Sequence, residues 1–454
     1  MSCLKIKIVD STLCEGELAA GVSFTVDQKV EVARELDRIG VDVIEVGRPA
    51  ISDEDFEAVR EVAGEGLQAE VAARAWLSAE EVEAAIECNI DRVMLATSAW
   101  KEASNRLGLS WEKELKEGIK AALERGVKVT LLIEWASQTA LQDLLVLCEQ
   151  AVSEGADTLC LVDTSSLLGP NEVRSLFEEV KKKVGAKLEA KCYDGMGLAV
   201  ANAIAALSGG AEGVHVAVNG IGEGPGITSM AEVAVALKTL AKIETVRLNG
   251  LPRLSMLVEK YSGIPLPTHS PVVGDYSFTV KTGPRMDLAL EGLNVLWPIK
   301  PEEAGRKVEI EVSKYCSVKA LGNKLEKLGL KLDNEQVNVV LKALRSRPAL
   351  RLHGDMDLAS FVEEVLGIKP SVEVPKRIEA SVMVQCTSNI HTASVAKRIL
   401  SIEGVEEVFE LSGEFDIEVR LSASSIVELN ERLDRIRAIK GVAGTRTRLI
   451  LKRY

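Results

Sequence analysis

The sequence predicts an α/β protein that opens with a (β/α)8, or TIM, barrel and continues through a small helical subdomain to a C-terminal ferredoxin-like βαββαβ domain. Three observations predict it. From residue 4 to about residue 240, a short β-branched run, a turn and an amphipathic helix recur eight times, the count of a closed parallel barrel. Proline then gathers between residues 245 and 300, in "GIPLPTHSPVVGD" and "GPRMD", where a connecting arm replaces the βα rhythm. Residues 377 to 454 read strand, helix, strand, strand, helix, strand, the order of a ferredoxin-like sandwich.

Taken in order, the barrel strands are "KIKIVD", "VDVIEVG", "LQAEVAARA", "DRVMLATS", "VKVTLLIEW", "DTLCLVDT", "KLEAKCYD" and "EGVHVAVNG". The first intervening helix, "TVDQKVEVARELDRIG", opens on a Thr cap, places Val30, Val32, Leu36 and Ile39 at helical spacing, and stops at Gly40. Asp10, Glu45, Glu134, Asp163 and Tyr193 end their strands, so they gather at the C-terminal rim where such barrels keep their sites. The barrel is assigned residues 1–270, the arm and helical subdomain 271–368, a Pro-bearing linker 369–376, and the last domain 377–454. "SGEFD" is the hairpin turn between that domain's middle strands.

Bulk properties narrow the function classes. The 454 residues are 46% hydrophobic and 27% charged, too many for one ordinary domain and mixed enough for a full core in each. A formal charge of -13 argues against a nucleic-acid surface, which needs clustered Lys and Arg. No apolar run reaches the roughly 18 residues of a membrane helix, and no signal-peptide layout opens the chain, so a cytoplasmic protein is expected. Eight scattered Cys without a C-x-x-C read as reduced thiols rather than a zinc site or a disulfide frame.

"DSTLCEGELAAGVSFT", from Asp10 onward, resembles the signature D-x-T-L-R-[DE]-G-E-Q of the homocitrate synthase and 2-isopropylmalate synthase family, metal-dependent (DRE-TIM) acyltransferases. "GLAVANAIAALSGGAEGVHVAVNGIGEGPG" resembles that family's second signature, and "VIEVGRPAIS", "PVVGDYSFT" and "AGRKVEIEVSK" extend the likeness over residues 4 to 365. The last domain resembles the amino-acid-binding (RAM-like) module of leucine-responsive regulators. The resemblance implies acetyl-CoA adding its methyl carbon to a 2-oxo acid held on a divalent metal. Such chemistry asks for a Lewis acid, a cationic donor and a base.

Carried over position by position, much of that equipment differs. Asp10 matches the first metal ligand, and Glu15 and Glu45 match the acids of the first two strands. Cys14 stands where the family has Arg, Lys191 and Tyr193 stand on its H-x-H ligand pair, and Ile227 stands on its ligating Asn. Trp100, Val280 and Arg285 replace functional His residues, and none of the chain's four His falls on such a position. The resemblance further implies substrate contacts from Thr164, Asn219, Gly220 and Gly222, and effector contacts from Gly413 and Asp416.

Several alternatives stand side by side. Lys191 is read either as an ammonium substituting for the ion among Asp10, Glu15 and Glu45, or as a Schiff-base lysine with Tyr193 beside it. Cys14 is read as a small filler or a nucleophile. Cys192, alternating with its neighbours, should face away from the site. "NGIGEGPG" shapes a turn or cradles phosphate, so acetyl-CoA binding is an open expectation. Tyr193 and Trp100 are expected to narrow the pocket. No cofactor is expected, a divalent metal on Asp10 being the alternative. The leading expectation is a non-catalytic or redirected homologue, a homodimeric regulatory subunit sensing a small effector such as an amino acid and pairing with an active synthase paralogue. An active acyltransferase and a Lys191-dependent aldolase or lyase are the others.

Overall fold

The computed structural model describes residues 5–107, 111–294, 296–347, 355–368, 378–387, 391–413, 415–423 and 426–450. The expected linker 369–376 lies outside the described residues. Two compact units divide the chain, one ending at Glu311 and one beginning at Val312. The boundary expected at residue 270 therefore moves: the Pro-rich arm folds with the barrel. It is held by a two-stranded parallel pair, β9 (Thr279–Val280) with β10 (Glu309–Ile310), and by the Trp297 indole, which packs at a tilt against Phe278 and donates to the Ser277 carbonyl.

Eight parallel strands close the barrel in chain order: β1 (Lys7–Asp10), β2 (Val43–Glu45), β3 (Glu70–Trp76), β4 (Arg92–Thr97), β5 (Lys128–Ile133), β6 (Thr158–Asp163), β7 (Lys187–Cys192) and β8 (Gly213–Val216). Register follows adjacency, with Asp10 beside Ile44 and Val216, and Lys191 beside Val162 and His215. Strands of this kind are buried on both faces, which is why they read as continuous Val, Ile and Leu runs. The helix Val26–Ile39 has the expected start and stop. Thr25 and Gln28 form a reciprocal capping box, and Gly40 ends the helix at a φ of 90°, where a Cβ would be strained.

The end of the barrel opposite the site is tied by charge. Arg92 on β4 is nearly sequestered from solvent, donating to Glu70 and Asp157 and to the Thr130 hydroxyl. Acids and a hydroxyl on and beside nearby strands pair this buried guanidinium, which makes the ring a structural feature rather than a site.

In the second unit, helices Val318–Lys327, Asn334–Ser346 and Asp355–Leu366 precede the sandwich. Its antiparallel sheet runs in the order β12, β13, β11, β14, with β11 Ile378–Cys386, β12 Val405–Glu410, β13 Ile417–Ala423 and β14 Val442–Ile450. Ala380, Val382 and Val384 alternate inward to meet Val395 and Ile399 of one helix and Leu429, Leu433 and Ile436 of the other. Among the described residues no helix is long and apolar enough to cross a membrane.

Candidate active site

Four strands deliver the central charges. Glu15 follows β1 in a turn, Glu45 ends β2, Arg74 stands near the end of β3, and Lys191 occupies β7. The Lys191 ammonium, wholly buried, donates to Glu15 Oε2 at 2.5 Å and lies 4.0 Å from Glu45 Oε2. Arg74 spans the same two acids, with Nε to Glu45 at 2.7 Å and Nη2 to Glu15 at 3.0 Å. The Tyr193 hydroxyl donates to the other Glu15 oxygen at 2.5 Å. Two carboxylates thus meet two cations and a phenol, and the centre is neutral.

Its titration follows from these contacts. Burial alone would raise the Glu15 carboxyl, but Lys191 and then Arg74 outweigh it and hold the group down at about 2. Burial likewise opposes Glu45, and Arg74 followed by Lys191 drives it well below the carboxylate range. Desolvation and Arg74 both push Lys191 downward, yet Glu15 and Glu45 overcome them and leave it raised. Lys191 therefore stays an ammonium. An amine must shed its proton to attack a carbonyl, so the Schiff-base expectation has no support in this geometry.

Asp10 behaves differently from what its position suggests. Its oxygens accept from the Thr12 amide at 3.0 Å and the Thr12 hydroxyl at 2.8 Å, and its salt bridges, among the described residues, number none. Lys191 reaches Glu15 and Glu45 but does not pair with Asp10, which corrects the expected three-acid arrangement. Burial raises the Asp10 carboxyl to about 7, with the Thr12 bonds pulling it part of the way back. Cys14 lines the cavity, but burial drives its thiol up to about 12, far from the thiolate a nucleophile needs.

A cavity of about 560 Å³ opens above this centre, between the loop after β1, the start of the helix Asp53–Gly64 and the ends of β3, β5 and β7. Cys14, Arg74, Trp76, Trp135, Thr164 and Tyr193 are in its wall. Thr164 lines the cavity, donating to Glu134 and accepting from the Trp135 amide. Tyr193 narrows the cavity as expected. Trp100 instead backs the wall, its ring 6.2 Å from that of Trp135.

The glycine loop is built for close approach. A Cβ on Gly226 would fall 1.9 Å from the Gly220 carbonyl oxygen, and one on Gly222 would fall 3.1 Å from the Glu15 side chain. Gly222 thus makes room for Glu15, and Gly220, at a φ of 68°, shapes the turn. Asn219 was expected on the substrate, but both ends of its amide are committed to Ser255, at 3.0 and 2.5 Å, and it does not line the cavity. Cys192 faces away from the centre as expected, toward Ala136, Leu168 and Phe177.

Arg74 is the residue that sequence reading missed. The signal is present: one basic residue sits two positions before Trp76 in "AEVAARAW", within the apolar run that follows Glu70, on the parity that faces the site. It restores, from β3, the cationic fork that Cys14 lacks at the end of β1. The residues present do not fit the divalent ion that the resemblance implies. An ammonium holds the seat between the acids, and no group of three or more His, Cys, Asp or Glu among the described residues is arranged to hold a metal.

In the second unit, Gly413 takes a φ of 129° in the hairpin turn. The Asp416 carboxylate accepts from the Cys386 amide at 2.6 Å, at the bulge where β11 shifts register against β14. That bond occupies one Asp416 oxygen in shaping the strand end.

Residues 5–258 match the HMGL-like family model, and residues 379–454 match the Lrp/AsnC ligand binding domain. The chain belongs to the HMGL-like family. Within it, similarity runs to homocitrate synthases: that of Sulfurisphaera tokodaii is 38% identical over 461 residues, covering 99% of this chain and 100% of that protein. The homocitrate synthase of Saccharolobus solfataricus is 37% identical with the same coverage. Among solved structures, the HMG-CoA lyase of Bacillus subtilis superposes with a TM-score of 0.52 at 20% identity, over 58% of this chain and 96% of that one. This HMGL-like chain is therefore a homocitrate-synthase-like protein carrying an Lrp/AsnC module, as its signatures implied.

Proposed function

We propose that the barrel of this homocitrate-synthase-like chain does not carry out metal-dependent condensation and that the protein serves as a ligand-responsive, regulatory member of its family. One observation carries this reading: the protonated Lys191 ammonium, wedged between Glu15 and Glu45, stands where a divalent ion would need to be held. A cation already paired with both acids repels a second at that seat, and the charges of Glu15 and Glu45 are already balanced by Arg74 and Lys191. The Lrp/AsnC module would sense a small effector, an amino acid by its resemblance. We place the working unit as a homodimer, with an active synthase paralogue as its partner.

A second reading is favoured by the relatives, which share the full length of the chain with homocitrate synthases. It is an active acyltransferase joining acetyl-CoA to a 2-oxo acid. Free CoA released from acetyl-CoA, measured with a panel of 2-oxo acids and added Mg, Mn or Zn, separates the two. We expect no release above the rate without protein, beside a family synthase that turns over. Release that a chelator abolishes would overturn the proposal and establish the second reading. Removal of residues 377–454 is expected to abolish any thermal shift that an amino acid induces in the full chain. A shift retained by the truncated protein would place the effector site elsewhere.

A further inference from the structure

The cavity above the centre has spent its cations. Arg74 is held by Glu15 and Glu45, and Arg48 makes a bidentate pair with Glu81. Lys29, 99% removed from solvent, is bound by Glu17 at 2.7 Å and Asp55 at 3.5 Å. An anionic ligand would have to break one of these pairs to find a counter-charge. Glu134 presents the opposite case. It lines the cavity, is 93% removed from solvent, and among the described residues has no basic group within ion-pair distance. Its carboxylate accepts from the Thr164 hydroxyl at 2.8 Å. Glu54 and Glu223, exposed at the mouth, also lack a basic partner among the described residues, so the approach to the cavity is negative.

Aromatic rings share the cavity wall with that carboxylate. Four of the 21 residues in the wall, Phe24, Trp76, Trp135 and Tyr193, are aromatic, against 4% in the whole chain. Trp135 adopts the left-handed backbone, φ 54° and ψ 35°, which is rare for a bulky side chain and persists only where the surroundings enforce it. Here they do: the Trp135 amide donates to Thr164, the same hydroxyl that binds Glu134, and the Trp100 ring packs against the indole from behind. Carboxylate and ring are thereby fixed in one arrangement before any ligand arrives.

We propose that this cavity takes an organic cation, an alkylammonium or a protonated heteroaromatic ring, with its charge against Glu134 and its body among Trp135, Trp76 and Phe24. A buried carboxylate supplies the counter-charge, and ring faces attract a desolvated cation through their quadrupoles. The proposal rests on the reading of the barrel as a non-condensing site, since it assigns that site a ligand of charge opposite to a 2-oxo acid.

The test is a titration of the full-length protein with benzyltrimethylammonium, followed by tryptophan fluorescence, beside its neutral tert-butyl isostere and 2-oxoglutarate. We expect saturable quenching by the cation and at least about tenfold weaker binding of the neutral isostere. Glu134→Gln, with its thermal transition retained, is expected to weaken the cation by about tenfold and leave the isostere unchanged. Should that variant fail to fold, Trp76→Leu serves in its place and should weaken cation binding likewise. Equal binding of cation and isostere, preference for 2-oxoglutarate, or a folded Glu134→Gln that binds as the parent does would overturn the proposal. CoA release is scored in parallel. Turnover together with cation binding defeats the non-condensing reading alone, whereas indifference to the cation without turnover defeats the ligand class alone.

Discussion

Lys191→Met is expected to lower the unfolding free energy of the barrel by about 3–5 kcal/mol, the range for removing one partner of a buried ion pair and stranding the other. Methionine matches the length of the stem but removes the ammonium that Glu15 accepts from at 2.5 Å. Arg74 then faces two carboxylates alone. Urea denaturation at pH 7 read by tryptophan fluorescence measures the effect, because all five Trp lie in the unit that ends at Glu311. Combining Lys191→Met with Glu15→Gln should recover part of the loss, since one anion leaves with one cation. A single variant within about 1 kcal/mol of the parent would mean that water or rearrangement already neutralises the centre. The pH dependence has a definite sign. Glu15 is depressed to about 2, so its contribution is fully present above the ordinary glutamate value of 4.5 and is lost as pH falls toward about 2.

Asp10→Asn should act in the opposite direction and stabilise the barrel as pH rises. The Asp10 carboxyl is raised from 3.8 to about 7. Between those values the unfolded chain releases a proton that the folded chain keeps, so this group makes stability fall with increasing pH. The whole window amounts to about 4 kcal/mol at 1.36 kcal/mol per unit. Asparagine keeps an acceptor for Thr12 and does not ionise. The difference in Tm between variant and parent should therefore be near zero at pH 4 and grow to its full size by pH 8. A flat difference would show that Asp10 is already ionised in the folded chain. A loss of stability on adding metal chelator to the parent, absent in the variant, would instead make Asp10 a ligand.

The barrel was legible because each βα unit carries its own local signals. The Thr25 cap, the helical spacing of Val32, Leu36 and Ile39, and the stop at Gly40 agree with one another without reference to the rest of the chain. The site was legible only where chemistry follows from one position. Cys14 stands out because it lacks the charge of the family's Arg, and Lys191 because it carries an ammonium at a ligand position. Arg74 was not read, because its importance lies in which two acids it meets across the barrel, and long-range pairing leaves no periodicity in the sequence. Asn219 misled for the same reason: its partner, Ser255, comes 36 residues later.

The balance of two acids against two cations also governs how this site can change over generations. Lys191→His on its own surrenders the ammonium while the acids remain. Tyr193→His on its own takes the phenol from Glu15 while the ammonium still blocks the seat. Each single step toward a ligand pair thus loses packing or charge before a metal can repay it, and the fitness effects of the two are coupled rather than additive. Gaining both members of a His pair at the end of β7 therefore takes the two substitutions together.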